Sequence, residues 1–253
     1  MTVQEFRNEF DLLYDNIASK GAPGLDDYEV SVFLTLAQEE LVKNKNTPKS
    51  NKLQEGFEQS EKRRVELKEL IRDYKVLNPI LTGISTSITT NNISTKSKFY
   101  KIPNDVFLIK YESAFIDTEN CNNLQVEVKP ITLDEYNKQK KNPFKKPNNK
   151  IIWRLDYNSI EPGSNAVELI SEYPIKEYNM RYLKQPSPII LVDLNTNEYL
   201  NEGLTILGQT QQQTSKLHPN FHSEIVRRAV ELATLSYKEN NLSNLVNLYQ
   251  RKE

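Results

Sequence analysis

The chain has 253 residues, which is enough to bury one large core or two smaller ones. Its 33 lysines and arginines nearly balance its 34 aspartates and glutamates, so no overall field attracts nucleic acid or an anionic membrane, and any DNA contact must be local. A mean hydropathy of −0.65 is polar for a free-standing enzyme. It favours a thin or extended protein with much of its surface in water or against partners.

Cysteine and histidine are scarce, which argues against disulfides and metal sites. Cys121 is the only cysteine, so no intramolecular disulfide can form, as suits a reducing cytoplasm. His218 and His222 match no HExxH pattern and have no third ligand nearby. The N-terminal residues are acidic and amphipathic, unlike a signal peptide, and the longest apolar run, 188–192, is too short to span a membrane. We therefore expect a soluble protein made inside the cell, with no cofactor and no metal.

No catalytic signature is present in the sequence. The seven glycines form no Walker or Rossmann pattern, and no serine lies in a GxSxG elbow. Adjacent acidic pairs such as Asp26–Asp27 and Glu39–Glu40 point to different faces of a helix, so they cannot converge on one cleft as an acid/base pair. The sequence predicts a protein that is not an enzyme.

The first 78 residues predict three helices. Thr2 with Glu5, and Asp26 with Glu29, have the spacing of capping boxes, which start helices by satisfying free backbone N–H groups. We expect the third helix to end before Pro79. Each helix carries apolar residues at spacings of three and four. These stripes comprise Val3, Phe6, Phe10, Leu13, Tyr14 and Ile17; Val30, Phe33, Leu34, Ala37 and Leu41; and Leu53, Phe57, Val65, Leu67, Leu70, Ile71 and Tyr74.

Between residues 79 and 208 the pattern changes to short segments rich in Val, Ile, Tyr and Thr that alternate with turn residues. This spacing favours an antiparallel β domain, either a sandwich or a small barrel. One short helix, Thr132 to Lys140, is predicted on a connection. The predicted strands are 80–89, 98–102, 106–115, 124–131, 150–156, 166–171, 175–183 and 189–193.

Helical spacing returns near the C-terminus, where Pro219 occupies a first helical turn and a final helix is predicted over residues 242–249. Because every helix must bury its stripe, we expect the C-terminal helix to close a bundle begun by the N-terminal ones. The predicted fold class is α+β. Residues 1–78 and 209–253 would form the helical bundle, and residues 79–208 an inserted antiparallel β domain.

Three segments carry a family resemblance: residues 25–42, residues 178–191 with a proline-marked turn, and residues 218–233. In that order they resemble the second helix, a late β hairpin and the closing helix of the head-to-tail connector (adaptor or ring) proteins of podovirus-like and crAss-like tailed phages. The resemblance implies a structural protein of the virion, made in the host bacterial cytoplasm and placed at the head-tail junction or in the tail. It would form a ring of twelve copies that joins the portal to other tail and connector proteins. Double-stranded DNA would pass through the ring for packaging, retention and ejection of the genome.

A lysine-rich stretch without Asp or Glu is the one anomaly in the charge pattern. Pro143 and Pro147 on either side of Phe144 predict an extended loop here. It is either a solvated hairpin tip or a contact with an acidic neighbouring subunit or the DNA backbone. The alternative to a ring is therefore a monomeric nucleic-acid-binding accessory protein that uses residues 138–150. The candidate contact residues are Lys138, Lys140, Lys141, Lys145, Lys146 and Lys150.

The polar tract 209–215 (QTQQQTS) has no apolar face. It is either a linker into the C-terminal helix or, in a ring, a segment that pairs with a neighbouring subunit through its glutamine and threonine side chains.

Overall fold

The chain folds as two compact units. The computed structural model describes residues 1–18, 24–46, 61–79, 98–119, 121–158, 165–196 and 203–237. Met1–Leu70 and Pro186–Glu253 form one unit, called here the helical unit, and Ile71–Gln185 form the other, called the β unit. The predicted divisions followed residues 78 and 208, so the two schemes place residues 71–78 and 186–208 differently. The predicted segments 53–60, 80–89 and 242–249 lie outside the described residues.

The helical unit begins with two capped helices that pack on the C-terminal helix. Thr2 and Glu5 exchange backbone-to-side-chain hydrogen bonds of 2.7 and 3.2 Å, and Asp26 and Glu29 exchange bonds of 3.1 and 2.7 Å, so both predicted capping boxes are confirmed. The helices among the described residues of this unit are α1 (Val3–Ala18), α2 (Asp27–Asn46), α3 (Glu61–Leu67) with a 3-10 turn (Lys68–Leu70), and α5 (His222–Tyr237) after a 3-10 turn (Pro219–Phe221). α1 and α2 each pack against α5.

The third predicted helix ends earlier than expected. After Leu70 the backbone becomes strand β1 (Ile71–Val76), so the prediction of helix up to Pro79 is wrong. Apolar residues at 65, 67, 70, 71 and 74 suit a helix, but β1 pairs along its whole length with a strand more than 100 residues later, Ile71 opposite Leu183. This non-local pairing overrides the local pattern.

Within the described residues, the β unit is one seven-stranded sheet with a single parallel pair. Its strand order is β1-β7-β3-β4-β5-β6-β2. Every neighbouring pair is antiparallel except β4 and β5, so the prediction of a fully antiparallel domain is wrong at this point. Parallel neighbours need a long crossover, and α4 (Leu133–Gln139) with the lysine-rich stretch supplies it. The other strands are β2 (Lys98–Ile102), β3 (Val106–Ile116), β4 (Leu124–Pro130), β5 (Ile151–Asn158), β6 (Asn165–Ile170) and β7 (Ile175–Lys184).

The sheet curls so far that a side chain on one edge strand, β1, reaches the backbone of the other edge strand, β2. The pairing of β3 with β7 shifts register at three places, and such irregularities bend and twist strands. The hydroxyl of Tyr74 on β1 donates to the carbonyl oxygen of Lys101 on β2 at 3.3 Å. Tyr100 and Tyr178 lie inside the curl with ring centroids 5.7 Å apart. A smaller core, which includes Tyr136 and Trp153, lies between α4 and the outer face of the sheet.

The predicted strand 189–193 is not part of the sheet. It lies in the helical unit, where its backbone is bonded to the buried polar side chains of α2. Thr35 Oγ1 bonds both the N–H and the carbonyl of Ile189, at 3.1 and 3.3 Å. Ser31 Oγ accepts from the N–H of Leu191 at 2.9 Å. Helix side chains therefore satisfy part of the backbone of this apolar run, which forms no strand of the sheet.

The polar tract 209–215 covers the other side of the same segment. Ile190 and Gln213 form a two-way backbone bridge of 2.9 and 3.0 Å, and Gln212 Nε2 donates to the carbonyl of Leu191 at 2.7 Å. Its glutamines thus pair, as the sequence allowed, but within their own chain. Neither alternative drawn from the sequence foresaw this pairing within the chain.

Candidate interaction surfaces

The lysine-rich stretch forms the last part of the crossover between β4 and β5. It is a series of turns and not the predicted extended loop or hairpin tip, because the strands that it joins are parallel. The carbonyl of Asn142 accepts from the N–H groups of Lys145 and Lys146 at 3.2 and 3.1 Å. The Oδ1 atom of Asn142 accepts from the N–H of Phe144 at 3.0 Å. A single asparagine therefore fixes the turn, which we call the Phe144 loop (residues 140–150).

The six lysines predicted as contact residues have different surroundings. Lys146 forms an ion pair of 2.5 Å with Glu172, and Lys140 bonds Asn137 at 3.1 Å and lies over the ring of Tyr136. These two lysines therefore contact other side chains of the β unit. The remaining four are exposed and form no ion pair with any described residue. They are Lys138, Lys141, Lys145 and Lys150.

Phe144 is the most exposed large apolar side chain among the described residues, at 94%. Large aromatic side chains are normally buried, so a ring this exposed among lysines is a candidate contact residue. The sequence singled out the lysines around it but gave no sign that the ring itself points outward.

A second surface lies on the helical unit. Side chains of α1 and of the start of α5 line an open depression of about 760 Å³. Glu5 and Glu9 contribute carboxylates, and Leu12, 64% exposed, contributes apolar surface. No lysine or arginine is among its lining residues. No sequence motif pointed to this depression, since an exposed leucine on an amphipathic helix is not distinctive.

The two histidines near this depression form hydrogen bonds within the helical unit. His218 precedes the 3-10 turn, and its Nδ1 accepts from the N–H of Asn220 at 3.4 Å. His222 is buried, with Nε2 3.1 Å from the carbonyl of Leu217 and Nδ1 2.8 Å from the amine of Met1. Burial lowers the pKa of His222, and the amine lowers it further. The imidazole is therefore held neutral against the backbone.

The β unit contains one buried ionic cluster. Arg154 Nη1 lies 2.6 Å from Glu112 Oε2, with both side chains less than 10% exposed, and the hydroxyl of Tyr178 bonds the other oxygen of Glu112. Arg154 Nη2 also donates to Asp156 at 3.3 Å. Burial disfavours the charged guanidinium, but the hydrogen bond and charge of Glu112 raise the pKa of Arg154. The burial of Tyr178 and the neighbouring carboxylate raise its pKa well above the usual range.

This ionic cluster has no catalytic arrangement. Its arginine is matched by carboxylates, so it offers no free positive charge to an anionic substrate, and the phenol is too weak an acid to act near neutral pH. It lies beside a depression of about 550 Å³ lined mainly by β3 and β4. We interpret the cluster as a structural contact that joins β3, β5 and β7.

Neither a cluster of metal ligands nor a membrane-spanning helix occurs in the part of the chain that the structure describes. Within the described ranges, no three or more His, Cys, Asp or Glu side chains are grouped so that they could hold a metal ion. Among the helices of those same ranges, none is both long and apolar enough to cross a bilayer.

Comparison with known proteins identifies the family. Residues 1–245 match the family model described as phage tail ring protein 3/4. The chain belongs to the phage tail ring protein 3/4 family. It is 41% identical, over the full length of both chains, to ring protein 4/5 of Bacteroides phage crAss001. It is also 35% identical to ring protein 3 of the same phage, over 93% of this chain and 96% of that protein.

Membership in the tail ring family confirms the resemblance to crAss-like ring proteins drawn from residues 25–42, 178–191 and 218–233. It gives the chain a structural role in a phage tail ring, as a component of the virion and not as an enzyme. The exposed features of such a protein are expected to serve contacts with other subunits. This favours the Phe144 loop and the acidic depression over the buried ionic cluster as functional surfaces.

Proposed function

We propose that the protein assembles into a closed ring of twelve copies at the junction between the phage head and tail. The observation that carries this proposal is the 41% identity with a ring protein along the whole length of both chains. Copies related by rotation about one axis must contact each other through two different surfaces, and such contacts close into a ring when the rotation divides the circle evenly.

In this proposal the helical unit is a bundle made from both ends of the chain, into which the β domain is inserted. Buried residues of α5 such as Ile225 and Val226 support it, as do the ion pairs that α5 forms with α2. Arg228 holds both oxygens of Glu40, at 3.1 and 2.9 Å. Lys45 of α2 lies 2.7 Å from Glu224 of α5. Such a rigid unit can present fixed faces to neighbours.

The ring would join the portal to other tail proteins and surround the double-stranded DNA during packaging, retention and ejection. The net charge of −1 supports a conduit, because a strongly basic wall would bind the passing duplex and slow it. Retention of the assembled ring on immobilised DNA at low salt is the test. Weak retention is expected, and tight binding that resists moderate salt would contradict the conduit role.

The ring itself is tested by light scattering together with negative-stain electron microscopy. Over a range of protein concentrations we expect masses that are multiples of the 29.4 kDa chain and closed rings in the images. Purified virions examined by mass spectrometry and imaging should contain the protein as a ring in the tail. A protein that stays monomeric at high concentration and is missing from virions would refute the proposal.

The second candidate is a monomeric accessory protein that binds nucleic acid through the Phe144 loop and Lys138. The four exposed lysines favour it. Changing all four to alanine should then remove most of the salt dependence of DNA affinity, since each lost phosphate contact lowers the slope of log K against log salt by about 0.9. Lys129→Ala, an exposed lysine on β4, is the matched control. Under the ring proposal, both variants bind DNA as weakly as the parent protein.

A further inference from the structure

The Phe144 loop and the acidic depression complement each other in charge and in apolar character. We propose that Phe144 of one copy inserts into the depression between α1 and α5 of the next copy, and that this contact links neighbouring copies in the ring. The inference rests on the proposed ring function and adds the two surfaces that a ring contact requires. It concerns contacts between copies only.

The Phe144 loop presents a pre-shaped anchor. Phe144 is 94% exposed, while Asn142 holds the backbone on either side of it through its side-chain and main-chain oxygens. A side chain held in a fixed turn loses little conformational freedom on binding, which favours affinity. The loop and the end of α4 carry Lys138, Lys141, Lys145 and Lys150 exposed, with no acidic residue between them.

The depression offers the matching features. Its volume of about 760 Å³ is within the range of small-ligand pockets, so it has room for an aromatic side chain. Leu12, Leu13 and Pro219 provide apolar walls, and Glu5 and Glu9 provide carboxylates. The amine of Met1 lies against the ring of His222. The lining therefore combines apolar side chains with two carboxylates, and the loop combines an apolar ring with four exposed lysines.

These surfaces favour a contact between unlike faces over one between like faces. Two Phe144 loops would bring lysines against lysines, and two depressions would bring glutamates against glutamates. A loop in a depression instead places opposite charges around a buried aromatic ring, as at many interaction hot spots. Such a contact uses a different face on each copy, so it repeats from copy to copy, and it closes a ring when the rotation divides the circle evenly.

Sedimentation equilibrium of the full-length protein measures the contribution of Phe144. Phe144→Ala should weaken self-association by about 30-fold or more, as for a central hot-spot residue. The matched control is Leu77→Ala in the same unit, since Leu77 is 58% exposed and lies outside the Phe144 loop. It should change the association constant by less than about threefold. Equal effects of the two variants would overturn the proposal.

Charge reversal identifies the partner surface. Lys145→Glu and Glu9→Lys should each weaken self-association, and the two changes in one chain should restore it, because each contact then carries both reversed charges. The control pairs Glu9→Lys with Lys129→Glu, which reverses an exposed lysine on β4, and should give no rescue. Additive losses in place of rescue would contradict a direct contact between the two surfaces.

Cross-linking separates this inference from the ring proposal. A benzophenone side chain at position 144 of the concentrated full-length protein should join two copies, with the adduct in residues 1–13 or 219–223. Adducts elsewhere on a second copy, in a sample that still forms rings, would overturn the Phe144 contact and leave the ring intact. Adducts only to another tail protein in virions would also overturn it. A protein that associates neither in solution nor in virions would refute both proposals.

Discussion

Removing one partner of the Arg154–Glu112 pair should destabilise the β unit strongly. The two side chains are only 9% and 5% exposed, and they join strands β5 and β3. In Glu112→Met the guanidinium stays buried, with Asp156 as its remaining carboxylate partner among the described residues. That carboxylate is 69% exposed, so water screens much of its attraction for Arg154.

The size of the effect follows from the burial. Leaving one member of a buried ion pair without its partner typically costs about 3–5 kcal/mol, and the hydroxyl of Tyr178 loses its carboxylate acceptor as well. Domains are commonly stable by only about 5–15 kcal/mol, so the variant should lose a large fraction of its stability. Replacing both residues by methionine removes the stranded charge and should cost less than the sum of the single changes. We expect a coupling energy of about 2 kcal/mol or more.

Urea denaturation followed by tryptophan fluorescence measures this unit specifically. Trp153 is the only tryptophan of the chain, and it is buried on β5 next to Arg154. The control is Arg181→Met, which breaks an ion pair with Asp73 of similar length, 3.0 Å, but with both partners more than half exposed. That change should cost about 1 kcal/mol or less. Equal costs for Glu112→Met and Arg181→Met, or additive single changes at the buried pair, would refute the reasoning.

Three more predictions concern the helical unit. Because burial lowers the pKa of His222, the unfolded state binds its proton more readily than the folded state, so the unfolding free energy should fall as the pH drops below about 6.5. Denaturation midpoints between about pH 8 and about pH 5 should show this slope for the parent and a flatter one for His222→Gln, and equal slopes would contradict it. Thr35→Val keeps the shape of the side chain but leaves both backbone groups of Ile189 without their buried partner. The unfolding free energy, measured by urea denaturation and circular dichroism, should fall by about 1–3 kcal/mol. A fall below about 0.5 kcal/mol would show that water replaces the hydroxyl. Removing everything from Leu217 onward deletes α5, against which α1 and α2 pack, so these two helices should lose cooperative thermal unfolding. A truncated chain that still unfolds cooperatively would show that they do not depend on α5.

The local elements of this fold were predictable from the sequence. Capping boxes at Thr2 and Asp26 satisfy neighbouring N–H groups within four residues, so their spacing alone fixes where α1 and α2 begin. Strands β2 to β7 were recognisable for a similar reason, since β-branched and aromatic runs between turn residues suit an extended backbone. The helix 132–140 was also confirmed, with Thr132 as its cap.

Features that depend on distant residues could not be predicted. Ile71 belongs to a strand because Leu183 lies beside it, and nothing near Ile71 in the sequence carries that information. Glu112 and Arg154 pair across 42 residues and look in sequence like ordinary surface charges. The parallel β4–β5 pair is a partial exception, because a predicted helix between two strands is typical of a crossover. The prolines near Phe144 instead favoured an extended loop.

The low apolar content of the chain has two possible explanations, buried polar residues and polar contact surfaces, and they lead to different conclusions about assembly. Part of the polar composition is buried: Ser31, Thr35 and Gln38 of α2 are at most 4% exposed and bond the backbone of residues 187–191. Those polar residues stabilise the single chain and need no partner. A polar composition is therefore poor evidence for contact surfaces. Exposed apolar side chains in charged surroundings are better evidence, and Phe144 and Leu12 are such residues, with opposite charges around them.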